Sequence, residues 1–339
     1  TQSPLVMTGA GLFICGIIYV SALTTTGNDT SWIGPVLIFV LCLYRMLTPV
    51  IAINTSRTAI AANHHSMDVL WEFFDSAEAA FQPTGDMQCD GLHGDIMFEN
   101  VSFSYGEDTN ATLKNISLII PHKKMTAIVG PSGAGKTSLI GLLARFFDPQ
   151  DGRLLVNGLD LNDLDVSSWR QQISLVSQHS ILFNDTVLNN LCFGGNTTSI
   201  DLVHQALEQA AASNFIQQLP DGLQTIIGDK GVRLSGGEQQ RLGIARSILS
   251  DPDLLLLDEA TSHLDSLTEK AVQGTLSKLH GQKTTVVIAH RLSTIMQADK
   301  IYVMDQGRIV EEGTHAEMMK NKGLYSEMVE HQEFSTDLE

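Results

Sequence analysis

Three stretches of this chain hold residues suited, by type and spacing, to handling phosphate. The first is Gly130-Pro131-Ser132-Gly133-Ala134-Gly135-Lys136-Thr137, which fits the pattern G-x-x-x-x-G-K-[ST]. Glycines such as Gly130, Gly133 and Gly135 let the backbone curl until successive N–H groups point inward. A helix N-terminus behind them adds partial positive charge. In such a loop Lys136 reaches the β- and γ-phosphates of a nucleoside triphosphate and the Thr137 hydroxyl ligates Mg²⁺. Ser132 and Ser138 belong to the same expected contact set. The second stretch is Leu254-Leu255-Leu256-Leu257-Asp258-Glu259, an apolar run that ends in two carboxylates. Asp258 is suited to hold Mg²⁺ through its water shell, and Glu259 to polarise an attacking water. The third is Leu234-Ser235-Gly236-Gly237-Glu238-Gln239. Ser235 and Gly237 can present a hydroxyl and a bare N–H to a second anion. Ser235 and Glu238 also read as an ordinary capping box, and the two readings are compatible.

These residues need particular elements to hold them. Met125–Val129 before the first loop reads as a short buried strand, and Ser138–Arg145 after it as a helix. The apolar run at 254–257 suits a central parallel strand, whose carboxyl end is where α/β sheets place ligands. Gln240–Leu249 reads as the helix behind the third stretch. Further strands are expected at 96–103 and 117–120, with turns at 106–108 and 148–152, and strands and helices then alternate to about residue 311. That is an α/β ATPase domain.

The chain before residue 94 has a different character. Residues 1–28 contain no charged side chain, and 4–23 are apolar over about the length that crosses a bilayer core. After a polar break at 24–31 comes a second apolar run, 32–53, interrupted by Arg45. Two such runs in tandem read as a transmembrane hairpin. Arg45 and Arg57 lie on the C-terminal side of the second run, which puts the 24–31 loop outside and the ATPase domain in the cytoplasm. Residues 54–82 read as a helix continuing from the second span, and 83–93 as a linker by composition. His64-His65 reads as surface. The 339 residues carry 21 Lys plus Arg against 38 Asp plus Glu, a net charge of −17, which disfavours nucleic acid as a partner. Cys15, Cys42, Cys89 and Cys192 lack the spacing of a zinc site or a disulfide framework. The chain opens on Thr1 and enters apolar sequence at once, as a fragment of a longer protein would.

Taken together, the phosphate loop, Ser235-Gly236-Gly237-Glu238-Gln239 and the strand ending in Asp258-Glu259 resemble the nucleotide-binding domain of ABC transporters, over about 94–339. The resemblance implies a mixed sheet with a helical subdomain and extends to other residues. Tyr105 matches the aromatic that stacks on adenine. Gln178 matches the glutamine that contacts Mg²⁺ and water and senses the membrane domain. Asp265, in Ser262-His263-Leu264-Asp265, matches the aspartate of the D-loop, although His263 stands where the family usually has a small residue. His290 matches the histidine at the γ-phosphate. Asp229-Lys230-Gly231, Gly313-Thr314-His315 and Gly323-Leu324-Tyr325 resemble exporter-type sequences.

The resemblance further implies ATP and Mg²⁺ as cofactors and a composite site, with the loop of one chain facing the Ser235–Gly237 turn of a second copy or a homologous half-transporter. It implies an integral membrane exporter or lipid flippase of the inner or plasma membrane, with hydrophobic or amphipathic cargo. About six spans per half are expected, so the remainder should lie upstream of Thr1. The alternatives are a membrane-anchored ATP-dependent switch and a non-transport ATPase of the same class.

Overall fold

The computed structural model describes residues 3–24, 33–79, 84–106, 111–177, 180–193, 199–228, 232–258, 272–275, 277, 279–289 and 291–336. The chain falls into two compact units, Thr1–Phe81 and Gln82–Glu339.

The first unit consists of α1 (Ser3–Thr24) and α2 (Ile33–Ala79). From Ile33 on, the second apolar run and the stretch after it form one continuous helix of 47 residues, which Pro49 does not end. Proline there removes one intrahelical donor. The Thr55 and Thr58 hydroxyls donate back to the Ala52 and Asn54 carbonyls, so neither needs an outside partner. Leu37, Ile38, Phe39, Val50 and Ile53 are all exposed. Among the described residues Gly34–Asp75 is the helical stretch long and apolar enough to cross a membrane, and α1 contributes a shorter apolar stretch, Gly11–Val20. One helix of that kind and one shorter stretch thus stand where two spans were expected.

The second unit holds its strands in two principal sheets. In chain order its elements begin with β1 (Ile96–Phe103), β2 (Leu113–Ile120), β3 (Met125–Val129), α3 (Lys136–Leu143), β4 (Asp151–Val156) and β5 (Leu159–Asp160). They continue with α4 (Val166–Gln171), β6 (Ile173–Val176), β7 (Asp185–Thr186), α5 (Val187–Leu191), α6 (Ile200–Gln209), α7 (Ser213–Gln218) and β8 (Ile226–Ile227). Then come α8 (Gly236–Leu249), β9 (Leu254–Asp258), β10 (Thr284–Ile288), β11 (Lys300–Asp305) and β12 (Arg308–Gly313). An antiparallel sheet runs β2-β1-β4-β5, and the central sheet runs β12-β11-β3-β10-β9-β6. The central sheet is mixed: its β11, β3, β10, β9 and β6 are parallel, and β12 is antiparallel to β11.

Alternation along the central strands builds two cores, because successive side chains leave a strand on opposite faces. Ile128, Leu254, Leu256, Val286, Ile288 and Tyr302 point to one face, where they join α3 and the antiparallel sheet. Ala127, Val129, Leu255, Leu257, Val287 and Val303 point to the other, where they join α6 and α8. With both faces covered, every residue of β3, β9 and β10 is buried, as the uninterrupted apolar run at 254–257 requires. The 83–93 stretch, described from Thr84, lies hydrogen-bonded along the second unit.

Candidate functional site at the carboxyl edge of the central sheet

Strand register determines which residues meet. Ile128 of β3 pairs with Ile288 of β10, and Ile288 pairs with Asp258 of β9. The phosphate loop therefore leaves β3 at the edge where β9 ends in Asp258. Val176 at the end of β6 is level with Leu257, so β6 ends at that edge too.

Backbone geometry at Gly130 and Gly135 explains the glycines. Gly130 has φ +149°, and a Cβ there would stand 2.1 Å from the Met304 carbonyl oxygen. Gly135 has φ +98°, and its Cβ would meet Leu113 Cδ2 at 2.7 Å. Other side chains are strained in this backbone region whatever space they have. The loop is thus pressed onto β11 and onto the start of β2. The Gly307 amide, in the β11–β12 turn, donates to the Ala134 carbonyl at 3.2 Å.

Lys136 is buried, and its Nζ donates to the Gly130 and Pro131 carbonyls at 2.8 and 2.9 Å. The ammonium is therefore held under the loop by two loop carbonyls. Ser132, Gly133 and Thr137 are exposed on the crown, whereas Ser138 is buried. Asp258 is buried at the end of β9. A curled backbone, a buried cation beneath it, an exposed hydroxyl and a carboxylate at the same sheet edge, one strand beyond β10, together fit a triphosphate with its divalent cation.

Tyr105 lies beside this cradle. Its hydroxyl is 3.0 Å from Ser138 Oγ, and its ring meets Phe103 and Phe147 edge-on at 4.9 and 5.2 Å between centroids. The residue is 44% exposed, so the aromatic cluster reaches solvent beside the loop. Phe147 was not expected at the site. The signal was the Phe146-Phe147 pair straight after the P-loop helix, and the structure makes Phe147 one wall of the aromatic cluster.

Ser235 is exposed, next to Leu234, which is buried in the other core. It caps α8, a helix that packs on α5, α6 and β6. Its amide and hydroxyl both donate to Glu238 Oε2, at 2.7 and 2.8 Å, and the capping box is complete. Gly237 lies in the first turn. The Arg246 guanidinium anchors α8 by donating to the Asn190 and Ile181 carbonyls, and burial lowers its pKa. Glu259, Gln178, His290, His263, Asp265 and the 229–231 loop lie outside the described residues.

A phosphate loop between a parallel strand and a helix, facing a strand that ends in aspartate, defines a P-loop ATPase. Within it, residues 113–262 match the family model for ABC transporters, so the chain carries an ATP-binding domain of that family. It is 41% identical over 320 residues to an ATP-dependent lipid A-core flippase of Cupriavidus pinatubonensis, covering 94% of this chain and 54% of the relative. It is 39% identical over 301 residues to a putative multidrug export ATP-binding/permease protein, YgaD, of Bacillus subtilis, covering 89% of this chain and 52% of the relative. Among solved structures, a bacterial Atm1-family ABC exporter with ATP bound superposes with a TM-score of 0.81 at 34% identity, covering 95% of this chain and 56% of that one. The chain spans about half the length of the curated relatives it matches.

Proposed function

We propose that this chain is the ATP-hydrolysing part of an exporter half, coupling ATP-driven pairing of two nucleotide-binding domains to export or flipping of a hydrophobic or amphipathic molecule. One observation carries the reading: register brings the end of β3, from which the loop with Lys136 leaves, level with Asp258 at one edge of the central sheet, in a chain that also carries the long apolar α2.

The roles follow from the chemistry of each side chain. Lys136 binds the β- and γ-phosphates, with the amides of Ser132 to Gly135 around them. Tyr105 stacks on the adenine. Thr137, Asp258 and Gln178 would hold Mg²⁺, which when bound neutralises phosphate charge. Glu259 polarises the attacking water, and His290 and Asp265 order the γ-phosphate side. Ser235 and Gly237 of a second copy close over the nucleotide, so one chain alone is nearly inactive. The apolar segments 4–23 and 32–53 form a hairpin in the inner or plasma membrane, and the second unit is cytoplasmic. Lipid as cargo is supported by the flippase relatives.

The test is the ATPase rate per chain against protein concentration in detergent, with a sizing run at the lowest concentration. A rate per chain that rises with concentration is expected of a shared site, and an active monomer would overturn it. Glu259→Gln should still bind ATP and hold the paired state; monomeric elution of that variant with ATP and Mg²⁺ would count against it.

A further inference from the structure

The stretch from Thr84 to Gly94 is fastened to the second unit by backbone donors along its length. The Gly85 amide donates to the Leu164 carbonyl and the Met87 amide to the Asp163 carbonyl, both at 3.1 Å, while the Asp165 amide donates to the Met87 carbonyl at 2.6 Å. The Cys89 amide donates to Ser168 Oγ, the Leu92 amide to Asp253 Oδ2, and the His93 and Gly94 amides to Asn157 Oδ1. Thr84 Oγ1 donates to Asp165 Oδ2 and accepts from the Val166 amide. This is a strap, and most of it is laid across the approach to α4 and its first turn. Gly85 permits the contact: a Cβ there would lie 2.1 Å from the Asp163 carbonyl carbon and oxygen.

The same segment holds the carboxyl end of α3, the helix that begins at Lys136. Trp169 Nε1 donates to the Leu143 carbonyl at 2.9 Å, and Arg170 donates to the Ala144 and Arg145 carbonyls. In return the buried Arg145 donates to the Leu164 carbonyl at 2.6 Å and to the Asn162 carbonyl. The Leu164 oxygen thus receives both Gly85 of the strap and Arg145 of the helix tail. A guanidinium at a helix carboxyl end also matches the macrodipole. A helix of eight residues is about 12 Å long and rigid, so a tilt at its tail moves the phosphate loop at its head.

We propose that α4 is the common abutment of the strap and the phosphate loop, with Trp169 and Arg170 as positioning residues, so that nucleotide at the loop and tension on the strap bias one another. The inference rests on the nucleotide reading of the loop. It gives the chain a hydrogen-bonded route from the strap to the phosphate loop.

The test uses the full chain in detergent micelles with adenylyl imidodiphosphate and Mg²⁺, reading equilibrium binding and amide hydrogen exchange on one sample. Bound nucleotide should slow exchange at Gly85, Met87 and Cys89 by about five-fold, within the usual range of coupling between sites. Gly85→Ala and Arg170→Ala should each weaken nucleotide binding by about five-fold, by the reciprocity of linkage. Arg170→Lys, which keeps the charge and a donor, should restore most of it. Normal binding with unchanged strap exchange, or unaltered affinity in Gly85→Ala, overturns the inference alone. Absence of nucleotide binding in the unsubstituted chain overturns the reading of the loop, and the inference with it.

Discussion

On one face of the central sheet, Leu254, Leu256 and Ile288 pack against α3 and the antiparallel sheet; on the other, Leu255, Leu257 and Val287 pack against α6 and α8. The strands are the same, but the fastenings differ. The phosphate face is joined through both side chains and backbone, and its ties end on backbone groups. The Tyr302 hydroxyl donates to the Ile119 carbonyl and accepts from the Ile119 amide, each at 2.9 Å, Gly307 donates to Ala134, and Gly130 lies against Met304. The helical face is tied largely by side chains: Arg246 to Asn190 and Ile181, Gln239 to the Leu234 carbonyl, and Ser235 to Glu238. Side-chain ties can be exchanged by rotamer changes, whereas backbone ties require a shift of the chain. The phosphate face therefore braces the loop against β11 and the antiparallel sheet, while the helical face holds α8 through Arg246.

Core truncations should cut deepest. Leu256→Ala and Leu257→Ala remove neighbouring buried side chains on opposite faces, and each should cost about 2–5 kcal/mol in chemical denaturation. Nucleotide affinity should drop more in Leu256→Ala, and the reverse order would break the distinction between the faces. Next comes Lys136→Ala, which removes a charge-assisted contact worth about 1.5–3 kcal/mol in nucleotide affinity and leaves the helical face intact. Unchanged affinity by titration would sink that role. Ser235→Ala removes the α8 cap and should cost about 1 kcal/mol of stability. Thermal unfolding measures it, and a loss as large as that of a core leucine would mean that the cap holds more of the helical face than the first turn of α8.

The smallest effect should appear at the opposite edge of the sheet. Burial raises the pKa of the Asp299 carboxyl, but the Met125 amide, His280 and Lys124 donate to it and together hold it below the ordinary carboxylate value. A depressed carboxylate contributes stability that is present above its unfolded pKa of about 3.9 and is lost as pH falls through the folded value. The gap in melting temperature between the unsubstituted chain and Asp299→Asn should hold near pH 6 and close below about pH 4. A gap that stays constant with pH would show that the charge at Asp299 is not what the amide and His280 hold.

The elements that carry the chemistry were legible because each has its own local signature. The strand at 96–103, the strand before the phosphate loop, the apolar run ending in Asp258 and the Ser235–Glu238 box all stand where pattern placed them. The helix after the loop begins at Lys136, two residues earlier than periodicity indicated, because the first turn of a P-loop helix is itself polar. The division of strands into two sheets was not legible. β1 and β2 carry the same alternation whichever sheet receives them, and only long-range pairing decides. Burial of Arg145 left no trace in the sequence either, because an arginine at the end of a helix is ordinarily solvated. The strap was hidden for a simpler reason. Its bonds run mainly from its own backbone, and backbone donors write nothing into residue type, so Pro, Gly, Asp and Gln read as a linker by composition.

For anyone wishing to excise a soluble ATPase from this chain, the strap decides where the cut belongs. Composition would put the scissors at Gly94, where alternating strands begin. A protein beginning there would lack Cys89 and Leu92, both buried, and would open an apolar seam beside Trp169 and Leu164. Such seams promote aggregation. A cut between Phe81 and Thr84 keeps the seam closed and leaves the amino terminus in solvent, and soluble yield would be the first sign that the boundary had been chosen well.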